Sequence, residues 1–194
     1  MGQYYTPIIK RENGGWSGFL CYDYDNGAKL MEHSYVGNCL VETVVKQLLE
    51  KPGHLAWVGD YSKIGDVKSN LANEFIQKER KYSSNSLKYS KPKIVNDMEN
   101  SSMVYLINHT KQEYVNMREY FKKVPLNNEY GSIWIIHPLP LLTAIGNGKG
   151  GGDYRGTCEE MIGYWACDLI EVGWLDEKTK NYVNITSEVM FNEG

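Results

Sequence analysis

The sequence predicts an α+β fold: one compact domain over residues 1–194, with a mixed or antiparallel sheet, one prominent amphipathic core helix and a glycine-rich loop. Three observations support this prediction. The composition, with 42% hydrophobic and 12% aromatic residues, is sufficient for an ordinary buried core. The strand-like segments are short and separated by turns that contain glycine. One longer segment repeats its apolar residues at helical spacing.

The first half of the chain begins with a predicted hairpin. Aromatic and β-branched residues fill 2–10 and 16–22, and Asn13 with two glycines between them accepts positive φ angles, which favours a tight turn. The core helix follows and ends near residues 51–53. Its apolar face consists of residues spaced three or four apart, namely Val36, Leu40, Val41, Val44, Val45, Leu48 and Leu49.

A buried strand and a second helix are expected next. Residues 54–61 are apolar and are followed by polar and glycine residues, as in a buried strand. Asp66 is predicted to cap a helix whose narrow apolar stripe consists of Val67, Leu71, Phe75 and Ile76. Residues 78–93 then hold six basic residues and one acidic residue, and we predict a mobile basic loop or insertion over 78–102.

Five further segments complete the predicted fold. Residues 103–107 form a strand, whereas 114–124 fit either a helix or a strand, because both spacings occur there. Residues 133–136 are a continuous β-branched run with a tryptophan, which predicts a central strand stopped by Pro138 and Pro140. The last apolar segments are 161–172 and 182–191. We expect them to form two strands, or a short helix and a strand.

Charge and targeting patterns restrict the class of protein. The chain has 21 Lys and Arg against 24 Asp and Glu, so its net charge of −3 excludes a dedicated DNA-coating protein. The N-terminal residues lack a secretory signal, and no apolar stretch approaches the roughly 18 residues of a membrane span. We therefore expect a cytoplasmic protein, in a bacterium or in the host cell if a phage encodes it. The four cysteines include no C-x-x-C pair, so reduced thiols are expected.

A glycine-rich loop is the most unusual feature of the sequence. Residues 146–156 contain six glycines in eleven positions, a backbone that loses much conformational entropy on folding. Consecutive glycines let successive N–H groups converge on an anion, and a lysine and an arginine add positive charge at the rims. The predicted ligand-binding residues are Gly148, Lys149, Gly150, Gly151, Gly152, Asp153 and Arg155.

Two well-known phosphate-binding motifs do not account for the loop. No Gly-Lys pair is followed by Ser or Thr, as a P-loop requires. Gly146, Gly148 and Gly151 satisfy the dinucleotide-binding spacing, but too little chain follows for the rest of a doubly wound sheet. The alternative to a ligand site is structural: a long glycine turn that lets two elements cross closely, or a surface loop.

Four segments of the sequence together resemble one family. They are Gly2-Gln3-Tyr4-Tyr5, residues 30–38, Trp57-Val58-Gly59-Asp60-Tyr61 and the loop at 146–156. This combination is similar to an uncharacterised family of short bacterial and phage proteins, and the resemblance covers most of the chain outside residues 62–102. The family brings no known activity, so the resemblance implies no functional residue.

A second group of candidate residues is acidic. Asp60 and Asp168 each follow a tryptophan by three positions at the end of an apolar segment. They form a candidate acidic cluster, with Asp153 as a third member, for metal binding or acid–base chemistry. The alternative is that each tryptophan belongs to the core and each aspartate ends a turn.

A histidine and a thiol are further candidates. Ser34 with Glu32 fits the cap of the core helix, and the alternative is that His33 between them is a titratable group in a pocket. Cys39 is a candidate thiol nucleophile near His33. The two residues are six positions apart, and this spacing does not by itself bring the imidazole within hydrogen-bond distance of the thiol. No His-x-His or His-x-x-x-His pair predicts a metal site.

Three functions agree with these patterns. The first is binding of a phosphate-bearing small molecule or another anion by the glycine loop, of which capture of a nucleotide signal as phage counter-defence is one version. The second is a protein-binding inhibitor of a host or defence complex, since nine acidic and three basic residues from 153 onward contrast with the basic middle. The third is a metal-dependent hydrolase that uses Asp60, Asp153 or Asp168. The sequence assigns no cofactor, oligomeric state or partner protein, and the basic residues 78–93 are an alternative nucleic-acid contact.

Overall fold

A computed structural model of the chain describes residues 2–24, 27–84, 104–124, 127–129, 132–146 and 153–192. The strands are β1 (Tyr5–Lys10), β2 (Trp16–Gly18), β3 (Gly53–Gly59), β4 (Tyr105–Asn108), β5 (Glu113–Asn116), β6 (Asn127–Glu129), β7 (Ser132–Trp134), β8 (Ala144–Ile145), β9 (Leu169–Gly173) and β10 (Val183–Asn184). The helices are α1 (Leu30–His33), α2 (Cys39–Glu50), α3 (Asn70–Ser84), α4 (Met117–Lys123) and α5 (Pro138–Leu142). Short 3₁₀ helices span Cys21–Tyr24, Glu159–Met161 and Thr186–Glu188.

Eight strands of the described chain form the main sheet, which confirms the α+β prediction. Their order is β10-β5-β4-β9-β3-β1-β2, with β8 paired to β3 beside this path. β8 is parallel to β3 and β10 is parallel to β5, whereas the other neighbours are antiparallel, so the sheet is mixed. The predicted hairpin is β1–β2, and Gly14 in its turn has a φ of +84°.

Two hydrophobic cores lie on opposite faces of the sheet. Alternate residues of β3 divide between them, as the pleat of a strand requires. Leu55 and Trp57 belong to the larger core with α2, and Ala56 and Val58 belong to the smaller core with α3. The predicted core helix is thus α2, whose buried apolar residues are Leu40, Val41, Val44, Val45 and Leu48.

The predicted cap of α2 is wrong. Asn38 caps the helix instead of Ser34, because its Oδ1 accepts hydrogen bonds from the backbone N–H groups of Leu40 at 3.0 Å and Val41 at 3.3 Å. Residues 30–33 form the separate helix α1, which ends before Ser34. Val36 therefore precedes α2, and Leu49, which was predicted on its apolar face, is 42% exposed.

The predicted cap of the second helix is also wrong. α3 begins at Asn70, and Ser69 Oγ accepts a hydrogen bond from the backbone N–H of Ala72 at 3.3 Å. Asp66 lies in the preceding turn, where its Oδ2 accepts from the backbone N–H of Lys63 at 2.9 Å. Both residues are good helix caps by type, and the sequence alone does not decide which of them is used.

Residues 113–124 contain both predicted alternatives in succession. β5 pairs with β4 and β10, and α4 begins directly after it. The change occurs at Asn116, whose Oδ1 accepts a hydrogen bond from the backbone N–H of Glu119 at 3.1 Å and so caps α4. A strand that is followed directly by a helix explains why apolar residues at both strand-like and helix-like spacing occur in this segment.

The prediction of a central strand at 133–136 is wrong. β7 pairs with β6 in a separate two-stranded sheet, and Ile136 makes an isolated bridge to Tyr35. Pro138 begins α5, where its missing N–H is not needed, and His137 Nδ1 accepts a hydrogen bond from the backbone N–H of Leu139. A short apolar run predicts a strand but does not say which strands it pairs with, so the pattern did not distinguish a central strand of the main sheet from a strand outside it.

The remaining predictions fall partly outside the described residues. Residues 78–84, the beginning of the predicted basic loop, are the end of α3, and 85–102 lie outside the described part of the chain. β9 overlaps the end of 161–172 and continues to Gly173, and β10 with a 3₁₀ turn lies within 182–191, close to the predicted alternatives. Among the described residues, no helix combines the length and apolar character needed to cross a bilayer.

Candidate functional site

The two ends of the glycine loop line one pocket. Gly146, directly after β8, and Asp153 share a cavity of about 260 Å³ with Arg155. The other lining residues are Tyr5, Leu30, Ala144, Tyr154, Glu159 and Ile162. The structure thus brings together two of the predicted ligand-binding residues, Asp153 and Arg155. The others lie outside the described residues, namely Gly148, Lys149, Gly150, Gly151 and Gly152.

The register of the sheet explains how the first strand reaches this loop. β1 pairs with β3 so that Tyr5 lies opposite Gly59, and β8 pairs with β3 so that Ile145 lies opposite Val58. Gly146 then meets the Tyr5 side chain, since a Cβ at position 146 would lie 2.3 Å from Tyr5 Oη. The close approach therefore requires glycine at this position.

Tyr5 and Asp153 form a buried hydrogen bond in the pocket lining. Tyr5 Oη donates to Asp153 Oδ1 at 2.6 Å, and the two residues are 2% and 7% exposed. Burial raises the pKa of Tyr5, and the hydrogen bond and negative charge of Asp153 raise it further. The phenol accordingly remains a protonated donor at all ordinary pH values.

Gln3 is a third buried polar residue beside this pair. Its Oε1 lies 3.4 Å from Tyr5 Oη, whose single proton is donated to Asp153. Its Nε2 is buried without a hydrogen-bond partner among the described residues, and it packs so closely over Gly59 that a Cβ there would overlap it. A buried amide without a hydrogen-bond partner lowers the stability of a fold by about 1–3 kcal/mol. The Nε2 of Gln3 is therefore a donor that could form a further hydrogen bond.

The last residues of the loop are anchored to the C-terminal segment. Tyr154 Oη donates to the carbonyl of Asn192 at 2.7 Å and accepts from its backbone N–H at 2.9 Å. Gly156 packs against the same carbonyl, since a Cβ there would lie 2.1 Å from Asn192 O. Close crossing of two elements, the structural alternative for the glycines, therefore explains Gly146 and Gly156 at the edges of the loop.

The pocket contains charges of both signs. Arg155 and Glu159 are exposed and Asp153 is buried. Glu159 Oε1 accepts a hydrogen bond from the backbone N–H of Gly156 at 3.2 Å. A bare anion is attracted by the guanidinium and repelled by the two carboxylates. A ligand that combines an anionic group with hydroxyl or amino donors suits all three side chains.

The candidate acidic cluster does not form, because Asp60 and Asp168 lie at opposite ends of β3. Asp60 follows the last residue of β3, and its Oδ1 accepts from the backbone N–H of Tyr4 at 3.1 Å. Asp168 O accepts from the backbone N–H of Leu55 near the first residues of β3. Five strand positions separate the two sites, a distance of about 17 Å.

Each aspartate has a local structural role instead. Asp168 Oδ2 accepts from Asn108 Nδ2 at 2.8 Å, and burial raises the pKa of Asp168. Trp57 and Trp165 are 3% and 0% exposed, as the alternative reading of core tryptophans predicts. In the part of the chain that the structure describes, no three His, Cys, Asp or Glu side chains are grouped to hold a metal ion.

The histidines also have structural roles. His33 Nδ1 accepts from the backbone N–H of Lys29 at 3.3 Å, and burial lowers the pKa of His33. His109 Nε2 lies 2.7 Å from Glu171 Oε2. His137, the cap of α5, is 1% exposed, and burial lowers its pKa to about 3.

Sequence reasoning missed Tyr5, Gln3 and Glu159 as site residues. Gln3 and Tyr5 were part of the N-terminal motif, but no local pattern connects that motif to a loop more than 140 positions away. A scan against protein-family models and searches of curated proteins and of solved structures found no match to the chain.

Proposed function

We propose that the protein binds a phosphate-bearing small molecule, or another small anion, in the pocket at the base of the glycine loop. The observation that carries this proposal is that Gly146 and Asp153, which flank residues 147–152, line one cavity together with Arg155. Backbone N–H groups of a glycine-rich segment and a guanidinium are both good partners for phosphate oxygens.

The other charges in the pocket narrow the ligand class. Asp153 and Glu159 are acceptors when ionised, and they favour a ligand with hydroxyl or amino donors beside its anionic group. A phosphorylated sugar has both kinds of group. The sequence suggested capture of a nucleotide signal as one form of this function. In that case a nucleotide must be among the ligands.

Calorimetric titration of the full chain with inorganic phosphate and with mono-, di- and cyclic nucleotides tests the proposal. We expect heat of binding from at least one compound, and a loss of affinity of at least tenfold in Arg155→Ala. Arg118→Ala, which removes an exposed arginine of α4, is the matched control and should bind like the parent. Absence of heat from every compound, or unchanged binding by Lys149→Ala with Arg155→Ala, overturns the proposal.

Protein binding is a second candidate function, favoured by an exposed aromatic group. Trp174 is 62% exposed and its ring lies 6.3 Å from that of Tyr105, which in turn lies 5.6 Å from that of Tyr114. Trp174 is exposed and the two tyrosines are half-buried, and exposed aromatic residues are enriched in protein interfaces. Native mass spectrometry separates the two functions: a stoichiometric protein partner that is lost in Trp174→Ala and retained in Arg155→Ala supports this candidate, whereas a bound small mass lost in Arg155→Ala supports the first.

A further inference from the structure

More than half of the residues that line the proposed ligand pocket come from one short segment, residues 153–162. This segment, all of which the structure describes, contains one 3₁₀ turn and no strand. Its backbone therefore takes its conformation from tertiary contacts, and the shape of the pocket depends on the residues that make them. The pocket residues that it supplies are Asp153, Tyr154, Arg155, Glu159 and Ile162.

The middle of this segment is held by residues 190–192. Thr157 Oγ1 donates a hydrogen bond to the carbonyl of Met190 at 2.7 Å and accepts one from the backbone N–H of Asn192 at 2.9 Å. The backbone N–H of Thr157 donates to the carbonyl of Asn192 at 3.0 Å. One threonine thus makes three hydrogen bonds to a segment more than 30 positions away in the sequence.

Arg155 lies between two residues that are fixed by the same segment. On one side, Tyr154 Oη pairs with the backbone of Asn192, and the Tyr154 ring packs edge to face on the buried ring of Phe191, with 5.5 Å between the ring centroids. On the other side, Gly156 lies so close to the carbonyl of Asn192 that there is no room for a Cβ. The backbone of Arg155 is therefore fixed, although its side chain is exposed.

The same contacts set the position of a second charged residue of the pocket. Glu159 Oε1 accepts a hydrogen bond from the backbone N–H of Gly156 at 3.2 Å. Arg155 and Glu159 are thus both connected to the one backbone stretch that contacts residues 190–192. Charged groups on a fixed backbone lose less conformational entropy when a ligand binds, which raises affinity.

We propose that residues 190–192 are coupled to the ligand pocket. Their contacts with Tyr154 and Thr157 hold Arg155 in its binding position, and ligand binding in turn stabilises the contacts. This inference rests on the proposed function. Thr157 is then a positioning residue, since it lies outside the pocket lining and acts through Arg155. The coupling is reciprocal, as thermodynamic linkage requires of any two coupled equilibria.

The first test removes the hydroxyl of Thr157 and keeps the shape of its side chain. Inorganic phosphate and mono-, di- and cyclic nucleotides are the probes, titrated by calorimetry into the full chain. We expect Thr157→Val to bind about tenfold more weakly every probe that binds the parent, because the ligand must then order the backbone around Arg155. Thr110→Val is the matched control and should bind like the parent. Thr110 is also exposed, and its Oγ1 accepts from the backbone N–H of Leu169 at 2.9 Å, outside the pocket lining.

A second test shows whether Thr157 acts through Arg155. Arg155→Ala should reduce the affinity at least tenfold in the parent, but about threefold or less in the Thr157→Val background, because the guanidinium is no longer held in place there. A double-mutant cycle of binding affinities measures the difference. A loss of stability alone would not produce this coupling, and thermal unfolding identifies any variant that does not fold.

Hydrogen exchange tests the reverse direction on the parent chain and needs no variant. A saturating probe should slow the exchange of the backbone N–H groups of Thr157 and Asn192 about tenfold, by the same factor with which their contacts raise affinity. The backbone N–H of Leu169, which is bound to the control residue Thr110, should exchange at an unchanged rate.

The outcomes separate this inference from the proposed function. Parent-like affinity of Thr157→Val, additive effects of Thr157→Val and Arg155→Ala, or unchanged exchange at Thr157 and Asn192 each overturn the inference and leave the proposed function standing. Absence of heat from every probe with the parent chain overturns the proposed function, and this inference with it.

Discussion

Tyr5 Oη donates a 2.6 Å hydrogen bond to Asp153 Oδ1 across 148 positions of sequence. Asp153 follows residues 147–152 of the glycine loop, and Gly146, which precedes them, packs against the same hydroxyl. One phenol of the first strand therefore contacts both ends of the loop. A buried carboxylate is stable only with such a partner, so the bond couples the folding of β1 to the position of the loop ends.

Removal of the Tyr5 hydroxyl should destabilise the protein and weaken ligand binding. Tyr5→Phe leaves a buried aspartate without this donor, and we expect a loss of about 1–3 kcal/mol in the free energy of unfolding. Urea denaturation measures the loss, and calorimetry with a phosphate or nucleotide compound that binds the parent chain measures the binding. Tyr4→Phe is the matched control because Tyr4 is 47% exposed. A Tyr5→Phe variant as stable as Tyr4→Phe would contradict the assignment.

A methyl group at position 146 should disturb the same contact. Gly146→Ala places a Cβ within 2.3 Å of Tyr5 Oη and within about 3.3 Å of its ring, so we expect destabilisation. In a Tyr5→Phe background the closest clash is absent, and the cost of Gly146→Ala should be smaller. A double-mutant cycle of unfolding free energies checks this coupling. Additive effects of the two substitutions would show that the hydroxyl is not the obstacle.

His137 should make the protein less stable in acid. It is buried and its Nδ1 accepts from the backbone N–H of Leu139, so the folded chain holds the imidazole neutral. Burial lowers its pKa in the folded chain to about 3, from the ordinary value of 6.5. Between these values the unfolded chain binds a proton that the folded chain excludes. Stability therefore falls as the pH decreases from about 6.5 to 3, by up to about 1.4 kcal/mol per pH unit.

The variant His137→Asn isolates this effect. Asparagine caps helices well and does not titrate, so the loss of stability between pH 7 and pH 4.5 should be smaller in the variant than in the parent. Denaturant unfolding at the two pH values measures both losses. Parallel behaviour of the two chains would exclude His137 as the source of acid sensitivity.

The cap of α2 should contribute to the stability of the whole core. Asn38→Ala removes the acceptor of the hydrogen bonds from Leu40 and Val41, and we expect a loss of about 1 kcal/mol. Asn38→Asp retains an acceptor and should lose much less. Ser34→Ala leaves both of these hydrogen bonds in place. Its effect on stability can therefore be compared directly with that of Asn38→Ala. The midpoint of chemical denaturation reports all three changes.

Local patterns predicted the elements that depend on local causes. The β1–β2 hairpin follows from a turn whose glycine adopts a positive φ, and α2 follows from apolar residues at helical spacing. The pattern failed at 133–136, because a continuous apolar run does not show whether a strand lies at the centre of the main sheet or in a separate pair of strands. It also chose the wrong cap residues, since several good caps occur within a few positions of each helix.

Local sequence grouped the candidate site residues, and the structure brings some of them together and separates others. The composition of the loop indicated Asp153 and Arg155, and both line the pocket. The acidic pair Asp60 and Asp168 was grouped by similar local sequence, but the pairing of β9 with the beginning of β3 places them apart. Similar local sequence contains no information about which ends of two strands are neighbours.

The α+β class, the opening hairpin, the core helix and the unusual loop follow from composition and from spacing over a few residues, where steric and hydrophobic preferences act locally. The pocket follows from tertiary structure alone. It requires Tyr5 of β1 and Gly146 after β8 to meet at the same end of β3, and it requires Asp153 to fold back onto that phenol. These contacts depend on strand register and on the packing of two cores against one sheet, and neither is specified by residues that are close in sequence.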